Sequence, residues 1–540
     1  MADINKKNRN LKIIFWGILL LGVLIRCIRF GQVPGGVNQD EAMAAVDAWA
    51  LSKYGTDRYG MVLPVHFTAW KVSQMSVLLS YLMIPFLKLF GLRSVAVRMP
   101  MLIISCGTIV LMYLVGKKVF SERTGLILMA LCAVNPWHFM QSRWSLDCNL
   151  FPHVFLLALY LLLAGLEKHR YLYLSMIFFG LTFYCYGVAV YSVIPFLIVY
   201  AAWCLWRKQL KLTQVLLCIV IFSVIALPEI IVMAINLFGW DTMETPLFTM
   251  ARFPESSRAD DILFMNFSFR QLLRNILSMV KQVFLQLPDH LFNALPEFGP
   301  LYHLSIPFTV IGIAAFVRQM MREKDRQVQT RYMAILGFFL TGIWVGIITF
   351  EVNINRINII FYPMIMLCGY GIEWLIQRVK RCKLMVCVAA LYGICAVLFL
   401  ARYFTFYQEE SRVYYNQDFL NAVAEADSME EYEQLYITGN MGWQFNCSMA
   451  EILTQYACEI DALYYQEKTN TTNGREQLPY SQRYHFVDNR ILEEQNVSAE
   501  GYPVLFLIHE TDLPFMDCDV EVLEREGEFL IAAPVKEEGD

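Results

Sequence analysis

Two adjacent carboxylates, Asp40 and Glu41, sit in the stretch Gly35-Gly36-Val37-Asn38-Gln39-Asp40-Glu41-Ala42, just past the first apolar segment. A carboxylate within reach of a hydroxyl can take its proton as the oxygen attacks an electrophile. The pair also has a plainer reading. Acidic residues favour helix N-termini, and a short helix is expected over residues 42–52. Three arginines are the complementary groups. Arg98 ends the run Arg93-Ser94-Val95-Ala96-Val97-Arg98; Arg143 stands four residues before Asp147; Arg356 closes Asn353-Ile354-Asn355-Arg356. Arginine presents a fork of donors that suits an anionic headgroup. Arg143 and Asp147, four apart on a helix, could instead pair with each other. Arg356 could serve only to anchor a helix end at the headgroups. Gathered on one membrane face, carboxylates and arginines could bind an anionic lipid headgroup and activate a hydroxyl beside it. No histidine triad, Walker loop or dinucleotide fingerprint competes, and His66, His138 and His153 are isolated from one another in sequence.

A membrane bundle must position these groups. The 540 residues are 57% hydrophobic and only 17% charged, against about 25% charged in soluble domains, and the mean hydropathy is +0.44. The fourteen cysteines lie mostly in apolar segments, where Cys acts as a small hydrophobe. None has the spacing of a zinc site. Lys6, Lys7, Arg9 and Lys12 precede an apolar run over residues 13–28 without a small-residue cleavage site. That pattern reads as a signal anchor with its N-terminus in the cytoplasm.

Further spans are expected at residues 97–115, 125–137, 150–166, 171–183, 187–206, 212–237, 301–317, 332–350, 357–376 and 384–401. With the first this makes about eleven. Alternate loops are rich in Lys and Arg, as the positive-inside bias requires when 97–115 runs inward. Asp40, Glu41, Arg98, Arg143 and Arg356 then share the outer face. Residues 77–92 are apolar but hold Pro85 and Lys88, and a span there would invert the charge pattern. They read as an interfacial or re-entrant helix within one long outer loop, 31–96. A second outer loop, 239–300, has a helical period over 261–287 with Arg270, Arg274 and Lys281 among apolar residues, as in a helix lying on a membrane or in an ordinary helix with a polar face. Beyond residue 402 the chain turns acidic and polar. A helix is expected at 417–426, and strands at 434–438, 462–465, 484–487, 504–508 and 529–533. The expected fold is therefore a polytopic α-helical membrane protein. Residues 1–402 form the membrane domain, and 403–540 a small extracytoplasmic α/β domain that carries no reacting group.

The order of these pieces resembles a known family. A basic N-terminus and one span are followed by Asp40-Glu41, Lys53-Tyr54-Gly55 and Pro64. Then come Phe90-Gly91, Ser94, Arg98 and Pro100, then Asn135-Pro136, Ser142-Arg143 and Asp147. Together they resemble the membrane GT-C glycosyltransferases, in particular bacterial relatives of protein O-mannosyltransferases and aminoarabinose transferases. The resemblance is best over residues 10–165. It implies an enzyme that moves a sugar from a polyprenyl-phosphate carrier to an acceptor on the outer face of the plasma membrane, with inversion. The acceptor would be a cell-envelope glycan, lipid or protein. By the same resemblance Asp40 is the catalytic base and Glu41 supports it. Arg98, Arg143 and Arg356 meet the donor phosphate, and Asp147 orients Arg143. No cofactor is required, although two adjacent carboxylates could bind a divalent metal. Nothing in the chain suggests nucleic acid. The rival reading is a transporter or lipid flippase without chemistry. Such proteins place charges near the bilayer midplane and often repeat in inverted halves, and neither feature is found here.

Overall fold

A computed structural model describes residues 2–254, 263, 267–379, 382–488, 503–516 and 518–535. Chain contacts divide the protein into two compact units. The first comprises Met1–Phe30, Pro100–Asp241 and Ser256–Thr405; the second comprises Gly31–Met99, Thr242–Glu255 and Phe406–Asp540. The long loop after the first span therefore clusters with the tail. Its first helix explains why. Gln39–Tyr54 buries ten of its sixteen residues, so it needs cover on several sides. Within the unit it packs against the helices Leu78–Phe90 and Cys447–Ala457.

The first unit is helical. Among the described residues, eight helices are long and apolar enough to cross a membrane: Arg9–Cys27, Ser94–Val119, Asp147–Gly165, Val188–Trp206, Leu212–Phe238, Arg326–Ile348, Asn358–Val379 and Lys383–Ser411. The other three expected spans are helices too. Glu122–Val134 and His169–Leu181 have 13 residues each and Ser305–Arg322 has 18. Ser305–Arg322 and Phe361–Val379 approach closely through glycine. A Cβ on Gly312 would collide with the Leu367 carbonyl, and one on Gly371 with that of Phe308. Small residues allow such contact where no hydrophobic force acts between helices.

The helix Phe269–Met279 lies in the stretch expected to hold a surface helix; residues 261, 262 and 264–266 of that stretch are outside the described residues. It is amphipathic inside out. Asn275 is buried and its Nδ2 donates to the carbonyls of Ile347, at 2.9 Å, and Thr349, at 2.6 Å. Those carbonyls end the helix Arg326–Ile348 and would otherwise lack donors. Phe269, Leu273, Ile276 and Leu277 are exposed, as suits a helix that meets lipid.

In the second unit the strands His66–Ala69 and Ser73–Ser76 form an antiparallel hairpin. A five-stranded mixed sheet runs in the order Val520–Glu526, Phe529–Pro534, Val504–His509, Gln434–Thr438, Tyr484–Val487. Both neighbours of Gln434–Thr438 are parallel to it and the remaining pairs are antiparallel. Tyr436, Val487, Phe506, Ile508 and Leu530 pack on one face. Neither that hairpin nor some details of the tail match expectation. Residues Ala462–Tyr465 are helical, because Asp461 caps them by accepting from Leu463 N at 2.9 Å. The helix Cys447–Ala457 and the edge strand Val520–Glu526 were not anticipated. That strand is exposed along most of its length and lacks the alternation that marks a half-buried strand.

Candidate active site

The helix carrying the two carboxylates begins at Gln39, three residues before its expected start. Asn38 is the reason. It adopts φ −73°, ψ 152°, and its Oδ1 accepts from Asp40 N at 3.1 Å, the ordinary N-cap arrangement. Gly55 ends the helix in the left-handed region at φ +71°, its N–H bonded to Leu51 O. Asp40 and Glu41 thus lie inside the first turn, where adjacent side chains point about 100° apart. Glu41 is fully buried while Asp40 is half-buried.

Glu41 meets Arg98. Arg98 Nε donates to Oε1 and Nη2 to Oε2, each at 2.8 Å. Arg98 Nη1 also donates to Pro34 O at 2.7 Å and Nη2 to Gly36 O at 2.8 Å. The fork therefore ties the helix start to the loop before it, with both partners of the ion pair 0% exposed.

Two turns along the same helix, Asp47 is buried against Arg58. Its Oδ2 lies 3.3 Å from Arg58 Nη1, and its Oδ1 accepts from Arg58 N at 3.2 Å. Burial pushes the Asp47 carboxyl up to about 7; Arg58 opposes the shift and Asp57 adds to it. Burial likewise raises Asp57 to about 6, against hydrogen bonds from the Met61 and Tyr59 backbone. The folded values exceed the unfolded value of about 3.9, so the native state binds protons more tightly and stability falls as pH rises from there toward 7. The unfolding midpoint is expected to be lower at pH 8 than at pH 5, with a shallower dependence in Asp47→Asn. Identical slopes in the two proteins would contradict this.

The remaining candidates belong to the first unit. Arg143 sits in the turn between the helices Pro136–Gln141 and Asp147–Gly165. It shares no helix with Asp147, so the four-residue spacing does not stack them. Arg143 Nη1 donates to Arg26 O at 2.8 Å, and Nη2 to Ile28 O at 2.9 Å and Arg29 O at 3.0 Å. These carbonyls lie at the C-terminal end of the first helix, where a cation complements the dipole. The rings of Phe139, Tyr403 and Phe404 flank the guanidinium at 5.3–5.5 Å. Asp147 opens its helix and accepts from Cys148 N at 2.7 Å. Arg356 is half-buried. Its N–H donates to Asn353 Oδ1 at 2.9 Å and its Nη1 to Glu351 O at 3.3 Å.

Arg26 was not anticipated. Fully buried, it donates to Gly22 O at 2.9 Å and Ala133 O at 2.8 Å, and its Nη2 lies 2.7 Å from His138 Nδ1. The signal was an arginine inside the first apolar run. Nor are the histidines all isolated. The His138 and His153 rings are 5.6 Å apart, and Tyr362 Oη lies 2.9 Å from His153 Nδ1. Among the described residues no three His, Cys, Asp or Glu side chains gather as a metal site would require.

Residues 75–231 match the family model of dolichyl-phosphate-mannose-protein mannosyltransferase. No curated protein sequence matches the chain. Among solved structures, the chain is similar to ArnT from Cupriavidus metallidurans bound to undecaprenyl phosphate, with TM-score 0.55 and 13% identity over 96% of this chain and 97% of that one. Apo ArnT from the same organism gives TM-score 0.56 and 11% identity over 98% of each chain. The oligosaccharyltransferase AglB from Archaeoglobus fulgidus, in complex with an inhibitory peptide and a dolichol-phosphate, gives TM-score 0.50 and 13% identity over 84% of this chain. The chain spans 64% of that protein, under two thirds of its length. At such identities the likeness is one of fold, and it runs the length of the chain. The chain therefore has the fold of the membrane glycosyltransferases of the GT-C class, and residues 75–231 match the mannosyltransferase family model.

Proposed function

We propose that the chain transfers a sugar from a polyprenyl-phosphate carrier to an acceptor hydroxyl at the outer membrane face, with inversion and with Asp40 as general base. The observation that carries the reading is the contrast within one helical turn. Glu41 is buried and bonded to Arg98, while Asp40, held in a capped turn, keeps part of its surface open. The acceptor oxygen attacks the anomeric carbon and its proton passes to the Asp40 carboxylate. The bond from that carbon to the phosphate oxygen breaks, and the carrier leaves as a phosphate monoester. A cationic group near the leaving oxygens stabilises the growing charge.

Among the three arginines we assign that task to Arg356, which is half-buried. Arg98 and Arg143 are fully buried and bonded to backbone carbonyls, so we assign them to positioning. Asp147 stands at the helix start that follows the Arg143 turn, and a supporting role there is part of the proposal. A phosphate leaving group does not demand a metal. The acceptor is a cell-envelope glycan, lipid or protein.

The test is turnover. Purified protein in proteoliposomes should release undecaprenyl phosphate from an undecaprenyl-phosphate-linked hexose and glycosylate an envelope acceptor. Movement of the lipid between leaflets without product would favour the transporter reading. The outer-face claim needs its own check, since it rests on loop charge. Single cysteines at Ser428 and Gln327, in a background lacking other reactive thiols, should be labelled by an impermeant reagent in intact cells at 428 only. Labelling at 327 alone would reverse the topology.

A further inference from the structure

The loop before Asp40 is held by residues from far along the chain, all within the second unit. Asn38, the helix cap, uses both ends of its amide. Its Oδ1 accepts from Asp40 N, and its Nδ2 donates to Tyr414 O at 3.3 Å. Asn416 returns the contact, its Nδ2 donating to Val37 O at 3.2 Å. Gly36, at φ +69°, lies so near Tyr415 O that a Cβ would collide with it, and a Cβ on Gly35 would meet the Gln417 side chain. The Tyr415 ring is 1% exposed and stands 5.7 Å from the Arg98 guanidinium. Asn416 is itself a left-handed residue, φ 51° and ψ 31°, 4% exposed, at the start of the helix Gln417–Ser428. Arg412 braces that start by donating from Nε to Asp418 Oδ1 at 3.2 Å.

We infer that residues 414–417 are a positioning strap for the Asp40 turn, and Asn416 its principal residue. The inference rests on the assignment of Asp40 as the base. It makes the tail part of the catalytic apparatus without giving it a reacting group. The reason is geometric. A base must stay within hydrogen-bond reach of the acceptor hydroxyl, and Asp40 follows directly on the loop that the strap clamps from one side and Arg98 from the other.

The test uses Asn416→Gly in the full-length protein. Glycine accepts a positive φ without strain, so the change removes the bond to Val37 while leaving the backbone at ease. A small misplacement of a reacting group can cost up to about 100-fold in rate. We expect kcat to fall by about 10- to 100-fold, with the binding of undecaprenyl phosphate unchanged and the unfolding midpoint lowered only slightly by the lost bond. Asn416→Asp keeps the left-handed tolerance but cannot donate to Val37, so it should lose rate likewise, with a lower midpoint from its buried charge. The deciding readout is a cycle with Asp40→Asn. Once the base is gone, Asn416→Gly should lower the residual rate no further. The same fold-loss in both backgrounds, or full activity of both Asn416 variants beside an inactive Asp40→Asn, overturns the strap and leaves the base assignment standing. Full activity of Asp40→Asn itself overturns the base and the strap together.

Discussion

Asp40→Asn is expected to lower transfer by about 10²–10⁴-fold, the usual worth of a general base, while the protein stays folded and still binds undecaprenyl phosphate. The substitution preserves shape and removes only basicity. The geometry sharpens the contrast with a purely structural role. The cap of this helix is Asn38, whose side chain accepts from Asp40 N. Asp40 itself can contribute only a charge near the helix N-terminus, worth about 0.3–1 kcal/mol. A residue of that kind, changed to Asn, would shift the unfolding midpoint slightly and leave turnover intact. Under the first reading the rate falls and the midpoint holds; under the second the midpoint shifts slightly and the rate holds. Near-normal turnover in a preparation with normal donor binding would remove Asp40 from the mechanism. Initial rates at saturating donor, with the midpoint measured on the same sample, decide it.

The adjacent carboxylates were legible because an acidic pair just past an apolar run stands out in so greasy a chain. Which of them faces inward was not. The direction depends on where the helix starts, and Asn38 moves that start ahead of the pair. Arg98 was legible as a cation near the membrane, but its partner lies 57 residues away, and periodicity says nothing at that range. Arg143 and Asp147 were read by helical spacing. The spacing fails because residues 143–146 form a turn between two helices. The long hydrophobic helices emerged with ends shifted by a few residues, since hydropathy locates a span better than its caps. Asn416 carried no signal at all. Its contact with Val37 bridges 379 residues, and an asparagine in a polar stretch looks like any loop residue. Ala462–Tyr465 is the converse case. The apolar and aromatic run suggested a strand, although the deciding cue, Asp461 as a cap, was present in the sequence.

Breaking the Glu41–Arg98 pair should have the largest effect on stability. Both side chains are 0% exposed, and removing one partner of a buried pair typically costs about 3–5 kcal/mol. Glu41→Gln would leave a buried guanidinium without its counter-charge. Arg98→Gln would leave a buried carboxylate and deprive the Pro34 and Gly36 carbonyls of their donors. Arg98→Lys keeps the charge but loses the fork that reaches four acceptors in different directions, so it should recover only part of the loss. Removing both charges together, as in Glu41→Leu with Arg98→Met, should cost less than either single change, because no uncompensated charge remains. Unfolding midpoints of the four proteins in one detergent test this. The alternative role for Arg98, as a grip on the donor phosphate, makes a different pattern. Arg98→Gln would then fold normally and bind undecaprenyl phosphate weakly, and the double variant would be no more stable than Glu41→Gln. That result would return Arg98 to the donor site. The pattern expected from the buried geometry instead makes Arg98 the brace that keeps the Asp40 turn in place, so its loss should abolish activity through the fold and not through the affinity for the lipid.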